Sequence, residues 1–479
     1  MPEQLIIAGE RRDAAAGETF TVIEPATGAP LAEVAKAGPA DVDAALAAAT
    51  AAFADGRGSW ARTSATERGR VLHRVAELLR EREDLFATTE ARGAGHPIGD
   101  ARWEVGAAAG TFEYYAGAAN KHLGSVVPVQ DAGLDVVLRE PVGPVGLIVP
   151  WNFPLLIACW KLAPALACGN PVILKPASLT PLTALLLGDL LVDAGVPADQ
   201  VHVLPGPGGV IGDALVADER TAKISFTGET STGASILKAS ADHIARVSLE
   251  LGGKSAAIVF ADANVAKAAA DAPMSVFGNA GQDCCARSRI LVERAAYEEF
   301  LEVFEAATRA IRVGDPLSAE TEMGPLISEG QRRTSLDYVE IGTGEGARLL
   351  SGGDVPESDG FYLTPAVVAD VSNDMRIARE EIFGPVASVL PFDSEEEAIR
   401  IANDSDYGLS GSLWTGSATR AIRVARSIRT GTLSVNTNRS VRYEAPFGGY
   451  KRSGLGRELG MQAMDAYTEV KNVFFSEED

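Results

Sequence analysis

Cysteine is scarce: four in 479 residues. That is too few to staple a chain of this length, so the sequence reads as one made for a reducing compartment, the cytoplasm. No C-x-x-C occurs, and none of the five histidines (His73, His96, His122, His202, His243) lies near a cysteine in sequence. A zinc site is therefore not expected, and the site reading carries no metal. No apolar run reaches the roughly 18 residues that a membrane helix needs. The nearest, VGLIVPWNFPLLIACW, is broken by two prolines and an asparagine. The start, MPEQLIIAGERRD, lacks a basic region followed by a long apolar stretch, so no signal peptide is expected. Basic charge is short as well. A net charge of -22 argues against general binding to nucleic acid or anionic membrane, since both need a basic surface. Repeats and low-complexity linkers are missing too.

What the chain does have is an ordinary globular composition, 46% hydrophobic and 23% charged. Its length exceeds what one hydrophobic core fills, so two or three domains are expected. Strand, turn and helix alternate twice. In the first alternation, apolar runs at 143–149, 170–174, 201–204 and 223–226 read as buried strands. Helical patterns fall at 41–53, 64–91, 181–194 and 230–240. Asp41, Ser64 and Thr180 read as N-caps, with Pro181 at the first helical position. In the second alternation, strands at 256–260, 289–292 and 386–392 interleave with helices at 264–277, 297–311 and 395–402. The pattern continues to 432–435. Such alternation implies βαβ units and parallel sheets, in two α/β domains that meet near Gly252–Gly253. Residues 126–140 read as a β-hairpin with its turn at DAG. The alternating AYTEVKNVFF near the end reads as a strand whose free edge invites another subunit.

The stretch FGNAGQDCCARSRI (277–290) holds two of the four cysteines side by side. A thiol pair can be a redox couple, half a metal site, a nucleophile with a bystander, or core packing. Adjacent cysteines are poorly placed to bond each other, because a disulfide has strict geometry. SLELGGKS (248–255) sets Glu250 just before two glycines, and PWNFP (150–154) holds Asn152 between rigid prolines. Singly, each has a bland reading: Glu250 as a solvated strand-end acid, Cys284 as a core thiol, Asn152 as a turn residue.

Together and in this order they are joined by KPAS (175–178), FTGETSTG (226–233), EEIFGPV (380–386), NDSDYGLSG (403–411) and PFGGYKRSGLGRELG (446–460). The set resembles the aldehyde dehydrogenase superfamily, from about residue 5 to residue 475. The resemblance implies an α/β fold of three parts. These are a Rossmann-type NAD(P)-binding domain (1–121 and 141–252), an α/β catalytic domain (253–465) and a bridging β element (122–140 and 466–479). The bridging element would build a homodimer or homotetramer.

The resemblance also implies the chemistry. Cys284 would be the nucleophile, its thiolate attacking the aldehyde carbon to give a thiohemiacetal and then a thioester. The Cys284 N–H and the Asn152 amide would hold the oxyanion. Glu250 would be the general base for the hydrolytic water. Cys285 would be a packed neighbour. Asp283 brings a negative charge next to a group that must ionise, so its side chain is expected to point away.

On the cofactor side, Lys175 would bond the adenine ribose and Gly228 would allow close approach at a helix N-terminus. Glu381 and Phe383 would hold the nicotinamide ribose, with Trp151 as support. Ser178 departs from the glutamate of many NAD-selective members. A carboxylate there would repel the 2′-phosphate of NADP and a serine would not, so NADP is expected to be accepted, alongside or in place of NAD. On the substrate side, Phe153, Trp160 and Phe447 match tunnel-lining aromatics. Arg439, with Arg442, could recognise the carboxylate of a semialdehyde such as succinic semialdehyde. Tyr443 and Glu444 keep an amino-aldehyde substrate open. A thiol esterase would use the same acylation groups, but it leaves KPAS, FTG and EEIFGP without a purpose. A catalytically silent binding relative would have no need of Cys284, Asn152, Glu250 and Glu381.

Overall fold

The computed structural model describes residues 1–439 and 441–477. Two sheets organise them. The first runs, edge to edge, Gly454–Leu455, Arg246–Glu250, Lys223–Thr227, Val145–Ile148, Val172–Lys175, Val201–Val203, Leu5–Ile7, Glu10–Arg12. Its five inner strands are parallel, and the outer three pair antiparallel. Inner strands such as VGLI and VILK are buried at every residue, as a parallel sheet covered on both faces requires. From Val145–Ile148 the chain steps outward through Val172–Lys175 to Val201–Val203. It then returns to lay Lys223–Thr227 on the other side. This reversal of strand order opens a crevice beyond the carboxyl ends of Val145–Ile148 and Lys223–Thr227, the place where such sheets bind ligands.

The second sheet runs Arg348–Ser351, Ala366–Ala369, Val386–Phe392, Arg289–Glu293, Ala256–Val259, Gly411–Trp414, Ser434–Val435. All of its pairings are parallel except that of Arg348–Ser351. A third, antiparallel sheet pairs Thr468–Ser476 with Gly133–Pro141 over their full length, and Gly133–Pro141 with Ser125–Val127. Val126, Leu134, Val470 and Phe475 on it stand exposed. Residues 478 and 479, which the bridging segment was read to include, lie outside the described residues. The strand Gly454–Leu455, read with the catalytic segment, completes the edge of the first sheet by pairing with Leu249 and Glu250.

Local details depart from the sequence reading for identifiable reasons. The helix read at 64–91 is two, Ala65–Glu81 and Glu83–Ala94; Ser64 does cap the first through the Glu67 N–H. Asp41 is not an N-cap. Pro39 starts that helix one turn earlier, and Asp41 reaches back to accept the Gly38 N–H at 2.8 Å. The cap before Leu182–Asp193 is Pro181 rather than Thr180. The longest helix, Ile98–Ala118, passed unread because its alanines and glycines give little periodic contrast.

Asn170, fully buried, ties three segments together. Its Oδ1 accepts the Gly143 N–H at 3.1 Å, and its Nδ2 donates to Ala165 O at 3.1 Å and Tyr467 O at 3.0 Å. An Asn170→Leu change would strand buried backbone groups at about 1–3 kcal/mol each. Thermal unfolding of this variant is expected to begin several degrees lower; an unchanged transition would show that the amide is dispensable.

Candidate active site

The two sheets meet with opposite polarity. A cavity of about 380 Å³ lies between the carboxyl ends of the first and the amino ends of the second. From the first sheet, Val145–Ile148 runs out into Pro150, Trp151 and Asn152. Lys223–Thr227 leads to Gly228 and Glu229, and Arg246–Glu250 ends on Glu250. From the second, Gly252 precedes Ala256–Val259, Cys284 precedes Arg289–Glu293, and Glu381 to Phe383 precede Val386–Phe392.

The turn before Cys284 is bent hard. Asn279, Ala280 and Gly281 are consecutively left-handed, with φ of 50°, 52° and 73°. Such backbone costs on the order of 1–3 kcal/mol per non-glycine residue and persists only where its surroundings enforce it. Here they do. A Cβ on Gly281 would stand 2.2 Å from Gly384 O, and one on Gly253 would stand 2.5 Å from Cys284 O. Hydrogen bonds complete the clamp. Asn279 Nδ2 donates to Asn152 O at 2.7 Å, and Gln282 Oε1 accepts the Ile327 N–H at 2.9 Å. Asn152, 4% exposed, donates one amide hydrogen to Gln282 O at 2.9 Å. Its Nδ2 carries a second hydrogen.

The ionisable groups lean toward their neutral forms. The Cys284 thiol is pushed well above its usual range, first by its hydrogen bond with Cys285 and then by burial and the charges of Asp283 and Glu381. Glu250 is also pushed well up, by burial and then by Glu458. Asp283 does not point away from Cys284. Its carboxylate lies within 4.8 Å of both Cys284 Sγ and Cys285 Sγ, because it turns back to accept the Cys285 N–H at 2.8 Å. Cys285 is buried beside Leu409, Phe447 and Leu459.

Several residues that the sequence reading passed over support this arrangement. Lys161, fully buried, pairs with Glu458 and donates to Ser225 Oγ at 3.1 Å, next to Glu250. An apolar helix with one lysine gave no sign of a partner nearly 300 residues on. Gln331 Nε2 donates to Ile382 O at 2.9 Å and Phe383 O at 2.8 Å, holding Phe383 in its left-handed conformation. Glu90, 1% exposed, accepts the Leu155 N–H at 2.7 Å and the Thr183 hydroxyl at 3.0 Å. It thereby fixes the start of Pro154–Ala167, two residues past Asn152.

Among residues read toward a cofactor, Trp151, Gly228, Glu381 and Phe383 line the cavity, and the rings of Trp151 and Phe383 meet edge-on at 5.2 Å. Glu381 Oε1 accepts the Gly253 N–H at 2.8 Å, and burial raises its carboxyl to about 7. Lys175 and Ser178 lie outside this cavity, on and after the next strand. Ser178 Oγ donates to Gly206 O at 2.8 Å. Lys175 is 4% exposed, its ammonium pairs with no group among the described residues, and burial lowers it to about 8. A buried cation without a partner, beside a crevice at the switch point, fits a dinucleotide that brings ribose oxygens to it.

On the substrate side, Trp160 and Phe447 meet at 5.4 Å and pack with Cys284 and Tyr443. Phe153 does not join them; its ring lies 5.6 Å from that of His96 and packs on the core of the first sheet. Arg439 is exposed and pairs with no acid among the described residues.

A crevice at the switch point of one parallel sheet, with a cysteine from a facing sheet on its wall, has the form of a ligand site with a thiol at hand. The aldehyde dehydrogenase family model matches residues 12–473. Human (Homo sapiens) retinal dehydrogenase 2 is 42% identical over 473 residues, which cover 98% of this chain and 91% of that protein. The betaine aldehyde dehydrogenase of Bacillus subtilis is 41% identical over 480 residues, 99% of this chain and 97% of that protein. The NAD+ complex of an aldehyde dehydrogenase from Bacillus cereus superposes with a TM-score of 0.98 at 41% identity, covering 100% of this chain and 97% of that one. The chain belongs to the aldehyde dehydrogenase family and is an oxidoreductase that converts an aldehyde to the carboxylic acid. No described helix is long and apolar enough to cross a membrane.

Removing the Glu90 carboxylate would leave the buried Leu155 N–H and the Thr183 hydroxyl without an acceptor, at about 1–3 kcal/mol each. Glu90→Leu is expected to lower both Tm and kcat, and Glu90→Gln, which keeps an acceptor, to recover most of each. Equal loss in the two variants would mean that the negative charge, rather than the hydrogen bond, is what matters.

Proposed function

We propose that the cavity binds NAD(P) and that Cys284, Asn152 and Glu250 carry the oxidation of a small-molecule aldehyde. One observation supports this above the rest: thiol, amide and carboxyl come from three separate segments to one cavity wall. Cys284, once it has lost its proton, attacks the aldehyde carbon. The oxyanion of the thiohemiacetal takes the free Asn152 amide hydrogen and the Cys284 N–H. The hydride leaving this carbon would go to NAD(P), which when bound would supply the acceptor. The product on the protein is a thioester on Cys284. Glu250 takes a proton from the attacking water, which expels the thiolate and releases the acid. Because Glu250 is held well above the ordinary carboxylate range by burial, its basic form is populated only as pH rises.

Lys175, Ser178, Gly228, Glu381, Phe383 and Trp151 form the cofactor path in this reading. At its adenosine end stands a lysine without an acidic partner and a serine in place of an acid, an arrangement that accepts the 2′-phosphate of NADP as well as NAD. Trp160 and Phe447 form the aldehyde approach. Arg439, exposed and without an acidic partner among the described residues, favours an aldehyde with a distal carboxylate, such as succinic semialdehyde; Glu444 beside Tyr114 favours an amino-aldehyde instead. The cofactor, catalytic and bridging parts follow the divisions 1–121 with 141–252, 253–465, and 122–140 with 466–479. The exposed apolar residues and free edge of the third sheet support a homodimer or homotetramer. Four free thiols, three of them buried, suit a cytoplasmic setting.

Cys284→Ser is expected to abolish aldehyde-dependent reduction of the cofactor, while Cys285→Ala retains it; the reverse would overturn the assignment. Single-turnover thioester hydrolysis should speed up with pH in the wild type and lose that dependence in Glu250→Gln. For the cofactor, kcat/KM with NADP is expected within about tenfold of that with NAD, since no carboxylate opposes the phosphate. An NADP value lower by orders of magnitude would refute the reading of Ser178.

A further inference from the structure

We propose that Asp283, Cys284 and Cys285 form a site for one thiophilic divalent cation, zinc or cadmium, whose binding blocks the enzyme. In sequence the thiol pair is at most half a metal site, since neither a C-x-x-C nor a nearby histidine is present. The fold gathers the donors instead. One carboxylate oxygen and both sulfurs lie within 4.8 Å of one another. Zinc–sulfur bonds of roughly 2.3 Å in a tetrahedron set two thiolates roughly 3.8 Å apart, so little movement closes the set. The hydrogen bond from the Cys285 N–H at 2.8 Å already holds the Asp283 carboxylate on this side of the turn. Cys284 lines the cavity, which gives an ion an entry path and leaves room for water at the fourth position.

Charge also balances. Two thiolates and one carboxylate carry three negative charges. The Arg287 guanidinium, which donates to Cys285 O, and a divalent ion supply three positive ones. Binding releases the two thiol protons to solvent. The remaining cysteines do not compete. Cys159 is fully buried, and Cys168 is buried with its thiol donated to Met464 O. Inhibition, as distinct from binding, rests on Cys284 being the nucleophile.

The test titrates the full-length enzyme with cadmium chloride. Bound metal is followed by equilibrium dialysis and by the ultraviolet thiolate-to-cadmium band, and aldehyde-dependent turnover is measured in parallel. One cadmium per chain is expected, with the band, and with inhibition that a chelator reverses. Loss of even a supporting partner of a metal ligand costs roughly 10- to 100-fold in affinity, so Cys285→Ala should weaken both binding and inhibition at least tenfold, with inhibition scored against that variant's own metal-free turnover. Asp283→Asn should weaken them less. Equal affinity in the wild type and Cys285→Ala would overturn the site and leave capture by Cys284 alone. Tight, Cys285-dependent binding without inhibition would uphold the site and refute the role given to Cys284.

Discussion

Everything at the cavity depends on two parallel sheets facing each other end to end. Strands of the first arrive with their carboxyl ends and strands of the second with their amino ends. One sheet alone would give a crevice with a glycine and a helix start, suited to holding a dinucleotide. The other alone would give a thiol on a strained turn. Contact between them brings the thiol to the crevice. It is close because glycine stands where the backbones cross: a Cβ at Gly253 or Gly281 would run into Cys284 O or Gly384 O. The left-handed run at 279–281 is then a consequence of the packing. The turn has no room to relax, so the Cys284 thiol is delivered to a fixed place.

The same burial sets the electrostatics. Glu250, Glu458, Lys161 and Lys223 are all within a few per cent of fully buried, and four isolated charges there would be prohibitively costly. Lys161 and Glu458 pair directly. Glu250 is pushed toward its neutral form, and Lys223 is lowered to about 7 by burial and the neighbouring Lys161. Lys223 donates to Ser248 Oγ at 2.6 Å and lies 5.0 Å from the ring of Tyr467. The group thus holds one ion pair and little net charge. A buried pair adds little net stability over apolar residues of similar volume. Its consequence lies in position: Glu458 is bonded both ways to the Phe447 backbone at 2.7 Å, which ties the charge on Glu250 to the loop that carries the substrate-side aromatics.

How much of this could be read from the chain depends on the range of the interactions. Most of the parallel strands were legible because each is a short, continuous apolar run between glycine, proline and asparagine; Arg246–Glu250, Ala366–Ala369 and Gly411–Trp414 were not read as strands. The motifs at 150–154, 248–255, 277–290 and 380–386 were legible because their chemistry is local. What escaped was long-range or low in contrast. Ile98–Ala118 is helical on alanine and glycine, with no strong apolar face. Lys161 finds Glu458, Glu90 finds Leu155, and Gln331 finds Phe383 only through the fold. Phe153 was grouped with Trp160 and Phe447 through the family resemblance, which carries no information on how these rings pack. The N-cap geometry at Phe153 instead turns its ring to His96, while Trp160, two helical turns on, faces Phe447.

The cysteine pair shows how burial and reactivity oppose each other. A thiol in a gently polar pocket would ionise readily and react with any electrophile that entered. Here Cys284 shares its hydrogen with Cys285, beside one carboxylate that turns toward it and another, Glu381, across the cavity. All of these favour the protonated thiol. A group that brought positive charge, or that took up the Glu381 carboxylate, would relieve this restraint. Asp283, an obstacle when the sequence is read alone, becomes part of this restraint. Its carboxylate works against ionisation of Cys284, and the same geometry leaves the pair open to a metal ion that supplies the opposite charge.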